Sequence, residues 1–386
     1  MSMIPQDVPT GAIRYNTDSN KMECWIGTKW MQIAVSSSDL NGGARGTYGG
    51  GANPSVVNTI DYITISTAGN ATDFGDMLEP NYAGNIGTVA SRTRGITFGG
   101  PTTGGFGQRI EYITFSSTGN AISFGDFASD PSEFPAGASN QTRGIQAGGT
   151  TTNVIQYITI TTTGTSTDFG DLTRANRRVA GCSSSTRGLF GGGQVPSPTS
   201  RDNAIDYITI ASTGAGKDFG DLSRANRRIA GCSSSTRGLF GGGQVPSPTS
   251  RDNAIDYITI ASTGNSTDFG DLTRQIDSRY SVSNSTRGVW AGGQIGGAVV
   301  ADIEYVTMAS TGNSTIFGDL SAAIQNGAGM ASPVRGVFAG GYDPSGSTDR
   351  TEYITISTGG RAVDFGNATY HTPSGMWGAS NAHGGL

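Results

Sequence analysis

GCSSSTRGLFGGGQVPSPTSRDNAIDYITIASTG occupies residues 181–214 and recurs letter for letter at residues 231–264, fifty positions later. Self-similarity at a fixed period signals a repeat architecture. Working outward, the tyrosine of IDYITI returns as Tyr62, Tyr112, Tyr157, Tyr207, Tyr257, Tyr305 and Tyr353, at intervals of 45 to 50 residues. A Phe-Gly pair follows each one, at Phe74, Phe124, Phe169, Phe219, Phe269, Phe317 and Phe365. A double glycine closing an Arg-Gly segment precedes each one, as at Gly99–Gly100, Gly148–Gly149 and Gly340–Gly341. All three marks count seven units.

Each unit parses into four strands by alternation and punctuation. In the fourth unit RRVAGCSSS reads as strand a, TRG as a tight turn, LFGGG as strand b, DNAIDYITIAS as strand c, TG as a turn, and Lys217 to Leu222 as strand d. Four strands in every period of about 48 residues describe a propeller blade, so the expected fold is all-β, a closed seven-bladed ring. Small residues in strand a, Ala180 to Ser183, suit a crowded central channel. Ile205 and Tyr207 point to one side of strand c and Ile208 and Ile210 to the other, which fits a sheet covered on both faces. Strand d is short and polar, as an outer edge should be. The first unit starts at its b strand, ARGTYGGG from Ala44, and SNAHGGL at Ser380–Leu386 matches SNQTRGI at Ser139–Ile145. The chain's last residues are therefore expected to supply strand a of the first blade.

The composition agrees with this reading: 61 glycines with 14% charged residues favour short strands and turns over long helices. A net charge of -5 with only Lys21, Lys29 and Lys217 as lysines argues against nucleic-acid binding. Cys24, Cys182 and Cys232 include two copies of one repeat position, so free thiols are expected rather than disulfides or a metal knuckle. MSMIPQDVPT has no basic start followed by an apolar run, and no apolar stretch is long enough to span a bilayer. No membrane insertion is expected.

A double glycine ending strand b, a Tyr in strand c, an aromatic in strand d and a basic residue entering strand a resemble the kelch repeat of seven-bladed propellers. The resemblance covers Ala44 to Leu386 and departs at strand d, where Phe stands in place of the usual Trp. IDYITIASTGNSTDFGDL with AGCSSSTRG is more specifically similar to repeat proteins of marine bacteriophages described as virion structural proteins. GAIRYNTDSNKMECWIGTKWMQIA, residues 11–34, belongs to no blade and reads as a three-stranded meander displaying Ile13, Tyr15, Met22, Trp25, Trp30 and Ile33. It resembles a short module near the ends of phage tail-fibre and other virion proteins, and it is too small to be stable alone. The expected organisation is a meander at residues 1–34 that docks to other virion proteins, a flexible linker at 35–43 and a propeller at 44–386. The resemblance implies a virion protein assembled in the host cytoplasm, of tail or fibre type. A capsid decoration or accessory protein bound only to virion subunits is the alternative.

No catalytic constellation emerges, and no cofactor or metal is expected. The copper oxidases that share the kelch architecture need two histidines beside a tyrosine, whereas His371 and His383 both lie near the C-terminus. Paired carboxylates such as Asp218 and Asp221 repeat in strand d at the outer rim, where a solvated edge explains them better than glycosidase or calcium chemistry. SSSTRG lacks a local His and Asp. The arginines of the Arg-Gly turns, Arg94, Arg143, Arg187, Arg237, Arg287 and Arg335, read as turn residues rather than a cationic ring. The chain is not expected to be an enzyme.

The a-to-b and c-to-d turns hardly change between units, while the b-to-c and d-to-a connections vary: GANPSVVNT, PTTGGFGQR, TTTNV, QVPSPTSRDNA and YDPSGSTDR. Variable loops on a constant frame point to a binding face. Candidate ligand contacts there are the aromatics Tyr82, Phe106, Phe134, Tyr280 and Tyr342. The arginines Arg109, Arg178, Arg201, Arg228, Arg251 and Arg350 could bond carboxylate or phosphate in bidentate fashion. Host-surface glycan, host protein and neighbouring virion subunits are all left open as ligands, as is self-association.

Overall fold

The computed structural model describes residues 8–16, 21–32, 44–52, 55–80, 88–102, 105–129, 135–149, 152–196, 200–246, 251–344, 346–372 and 375–382. Regular structure among them is entirely β. The chain divides into two compact units, Met1–Gly42 and Gly43–Leu386. The expected linker at 35–43 lies outside the described residues.

The first unit is a three-stranded antiparallel sheet of Ile13–Asn16, Lys21–Trp25 and Trp30–Gln32. Its register pairs Ile13 with Cys24, Cys24 with Met31, and Tyr15 with Met22. Side chains alternate across a pleated sheet, so these five residues share one face. The other face carries the Arg14–Glu23 ion pair at 2.8 Å, Arg14 stacked 4.2 Å over Trp30, and Trp30 against Trp25 at 5.4 Å. The two tryptophans therefore lie on the face opposite Ile13, Tyr15 and Met22, so the displayed residues divide between the two faces of the sheet.

The described part of the second unit contains seven principal antiparallel sheets, each with the order a-b-c-d. In the fourth these are Ala180–Ser183, Arg187–Gly191, Ala204–Thr209 and Lys217–Asp221. Strand a of the first sheet comes from the far end of the sequence: Trp377–Ser380 pairs with Arg45–Gly49, placing Ser380 opposite Gly46. The C-terminal region thus completes the first sheet as expected, through the three residues before Ser380 rather than those after it.

Hydrophobic clusters fill the space between successive sheets. Cys182, Leu189, Ile205 and Phe219 of the fourth meet Phe240, Ile258 and Ile260 of the fifth. Ile208 and Ile210 turn the other way, onto Ala138, Ile145 and Ile155 of the third. The same arrangement joins the seventh sheet to the first, where Met330 and Val337 pack with Tyr48, Ile63 and Ile65. Burying both faces of strand c is what its apolar pattern requires.

Three sets of polar contacts repeat at every junction and return from the seventh sheet to the first. The glycine of each c-to-d turn donates its N–H to the strand-d phenylalanine carbonyl of the preceding sheet at 2.6–2.7 Å, from Gly119→Phe74 round to Gly69→Phe365. The arginine opening each strand b donates to a carbonyl of the following sheet at 2.6–3.0 Å, from Arg45→Phe115 round to Arg335→Ile65. The polar residue preceding each strand-c tyrosine accepts a backbone N–H from the preceding sheet at 2.7–3.1 Å, as in Thr369→Asp61, Ala128→Gln156 and Ser223→Asp256. Each arginine also lies 4.2–4.8 Å over its strand-c tyrosine, which meets the strand-d phenylalanine edge-on.

The strand-d carboxylates Asp218 and Asp221 are exposed, as expected for an outer edge, but these contacts add a role for the strand itself. Its backbone is bonded to the next sheet, and the first aspartate of DFGD holds the strand's bend: Asp218 Oδ1 accepts from Gly220 N at 3.0 Å. Gly220 has φ +141°, and a Cβ there would lie 2.4 Å from the backbone of Gly264. Glycine is thus required by both backbone conformation and close approach.

Candidate functional site

Strand a of all seven sheets lines a central cavity of about 340 Å³, walled by small residues such as Gly137, Ser183, Ser233, Ser283 and Ala331. Burial raises the Cys182 thiol to about 12 and shifts Cys232 in the same direction, the opposite of what an activated nucleophile needs. Among the described residues no three His, Cys, Asp or Glu side chains gather where a metal could bind.

The end of the unit bearing the b-to-c and d-to-a connections is built differently. In the fourth to seventh repeats the d-to-a connection forms a backbone bridge to the residues after strand b: Arg177 with Gln194, Arg227 with Gln244, Asp277 with Gln294, and Gln325 with Tyr342. The next residue is left-handed each time, with φ of 57–58° at Arg178, Arg228, Ser278 and Asn326. Such a conformation is uncommon away from glycine and costs energy. One backbone frame therefore presents a different side chain in successive repeats.

Acidic residues at this end are tied to arginines of the d-to-a connections beside them. Arg174 bonds Asp202 at 3.0 Å, and Asp202 also accepts from Asn176 at 2.9 Å. Arg224 pairs with Asp252, and Arg274 with Asp302 at 3.0 Å. Across the junction of the fifth and sixth sheets, Arg251 Nε lies 3.0 Å from the buried Asp277 Oδ2, which also accepts from Gln244 Nε2. Across the junction of the fourth and fifth sheets, Arg201 Nε donates to Gln244 O at 3.0 Å. Arg227 donates to Gln194 Oε1 at 2.7 Å and to Gln244 Oε1 at 3.1 Å. Burial, followed by the charges of Arg201, Arg228 and Arg177, pulls the Arg227 guanidinium below its ordinary pKa; Asp277 opposes the shift.

The structure thus places Arg178, Arg201, Arg228 and Arg251 on the loops of the fourth and fifth repeats, and brings Arg201 and Arg228 within electrostatic reach of Arg227. The tightly held Arg251 has a side chain only 16% exposed, whereas Arg228 is exposed. The sequence reading missed Arg177 and Arg227, although ANRR at 175–178 and again at 225–228 carries both. Tyr280 is corrected: it is 4% exposed, its hydroxyl donates to Gly340 O at 2.9 Å, and its ring packs on Phe338. It opens strand a and points into the core between the sixth and seventh sheets.

Tyr342 is 42% exposed at the position the other repeats give to glutamine. Arg109 pairs with Glu79 at 3.5 Å, apart from the arginine group. Arg350 is half-buried, with its Nη1 unpartnered. Tyr82, Phe134 and Ile33, and the side chain of Phe106, lie outside the described residues. Beside Tyr280, Arg279 forms a buried ion pair with Glu304 at 2.7 Å. Burial opposes the Glu304 charge, but Arg279 and the bonds from Ser314 and Thr273 outweigh it and hold the carboxyl below its usual range.

No protein-family model matches the chain, and no curated protein matches it.

Proposed function

We propose that the second unit is a seven-bladed β-propeller acting as a non-catalytic binding module, with ligand contacts on its b-to-c and d-to-a loops. Seven sheets whose clusters and polar contacts return from the last to the first support the propeller. The binding reading rests on one observation: a single bridge-and-turn frame carries Arg177, Arg227, Asp277 and Gln325 in successive repeats. A rigid backbone frame that carries side chains of different charge is the arrangement by which loops on a scaffold diversify their contacts.

The resemblance of the repeat and of residues 11–34 to phage proteins supports a virion component of tail or fibre type. The first unit is then its docking module. Ile13, Tyr15, Met22 and Met31 are 61%, 56%, 40% and 45% exposed on one face with Cys24, an apolar surface suited to burial against another protein. Trp25 and Trp30 support that sheet from behind. The test is glycan-array binding by the full chain, compared with a variant whose 195–203 loop is replaced by the short TTTNV loop of the third repeat. Binding that disappears in the variant supports the reading. An array without signal, together with a virion map in which the loop face is covered by other subunits, favours the accessory-protein alternative.

A further inference from the structure

We propose that Arg177, Arg201 and Arg227, at the junction of the fourth and fifth sheets with Arg228 at its rim, bind one oxyanion group carried by an acidic saccharide. The saccharide rests on the binding-module reading above; the oxyanion site itself does not.

The duplicated sequence supplies an internal control. Residues fifty apart are equivalent, so Arg201 corresponds to Arg251 and Arg227 to Asp277. At the later junction the equivalent pair is an ion pair at 3.0 Å, and the charge of Arg251 is matched. At the earlier junction the same two positions hold two arginines. Arg177 and Arg201 flank Gln194 as its backbone partners, and Arg227 bonds its side chain, so all three converge on one glutamine. Their side-chain hydrogen bonds run to amide and carbonyl oxygens, which satisfy donors without neutralising charge. The buried Nε of Arg177 has no hydrogen-bond partner.

Asp202 is engaged with Arg174, Asp252 with Arg224 and Asp277 with Arg251, and Asp277 offsets only part of the charge around Arg227, whose pKa stays lowered by burial and by Arg201, Arg228 and Arg177. Arg228 is exposed and held left-handed at φ 57°, a strained placement on the same loop. Three like charges sharing one carboxylate that is already paired with Arg251 are packed unfavourably unless an anion joins them. Guanidinium groups recognise sulfate, phosphate and carboxylate through paired N–H donors.

The test is calorimetric titration of the full chain with sodium sulfate, sodium phosphate, a sulfated oligosaccharide and a uronate oligosaccharide. Arg227→Asp reproduces the side-chain pair of the next junction, so the fold already accommodates it; it should weaken binding at least about tenfold. Asp277→Asn removes the competing carboxylate beside Arg251 and should add a second, weaker equivalent of anion. Arg361→Ala, altering an exposed arginine in another repeat, should leave affinity unchanged. Affinity unaffected by Arg227→Asp, or lowered equally by Arg361→Ala, overturns the site. Inorganic anion binding lost in Arg227→Asp without any saccharide binding upholds the oxyanion site and overturns its saccharide. Saccharide binding indifferent to Arg227→Asp overturns the inference while leaving the binding module standing.

Discussion

The two ends of the repeated unit use arginine in opposite ways. At the end formed by the a-to-b turns, every described arginine that opens a strand b plays the same part, stacking on a tyrosine of its own sheet and donating to a carbonyl of the next. At the other end, equivalent positions hold arginine, aspartate or glutamine, and their partners change from junction to junction. The first end shows that a repeated charge can be wholly structural. The second shows that function should be sought where the frame repeats and the charge does not. Removing a group that closes every junction should therefore cost far more than removing one that decorates a loop.

The sharpest break is Gly270→Ala. Gly270 has φ +141°, and a Cβ would come within 2.5 Å of the Gly312 backbone in the next sheet. Backbone strain and overpacking together should cost about 4 kcal/mol, read by chemical denaturation. Arg237→Ala removes the stacking on Tyr257 and the bond to Met308 O, and should cost roughly 2 kcal/mol in the same assay. An unchanged midpoint for either would remove the junction contacts from the account of stability.

Asp256→Asn gives a smaller, pH-dependent effect. Burial raises the Asp256 pKa, against the two bonds donated by Ser223 to its Oδ2, with the Asp252 charge a lesser contribution. The folded state thus holds this proton more tightly than the unfolded chain, so the stability it contributes is present at low pH. That stability is lost as pH rises through the folded-state value. The Asn variant should gain on the parent over that window in melts across pH, since Gln156 already fills the equivalent position as an amide accepting from Ala128 at 3.0 Å. A difference between variant and parent that does not change with pH would break the assignment.

At the variable end, Arg228→Gly should raise stability by about 0.5–1 kcal/mol by relieving its left-handed backbone. The same change should weaken anion binding. Gain in one assay and loss in the other would show that this residue is retained at the expense of the fold.

The repeat number, the four strands of each unit and completion of the first sheet from the C-terminal region were legible because each leaves a periodic mark. Tyr and Phe recur where a sheet must cover both faces, and Gly recurs where another backbone approaches. Roles that depend on a neighbouring sheet left no such mark. Asp206 reads as a polar residue inside an apolar strand until Thr173 of the preceding sheet is seen to donate to it at 3.0 Å. Tyr280 reads as a loop aromatic until its hydroxyl reaches Gly340, sixty residues away. Arg201 and Arg251 are identical in local sequence across thirty-four residues, yet one meets Arg227 and the other Asp277.

Local alternation, glycine placement and period thus determined that this chain would build seven similar β units, because those properties act within a strand or between adjacent strands. Only the tertiary structure decided which charges are satisfied. Electrostatic pairing depends on what the next sheet brings within about 4 Å, and identical segments acquire different partners once each is set beside a different neighbour.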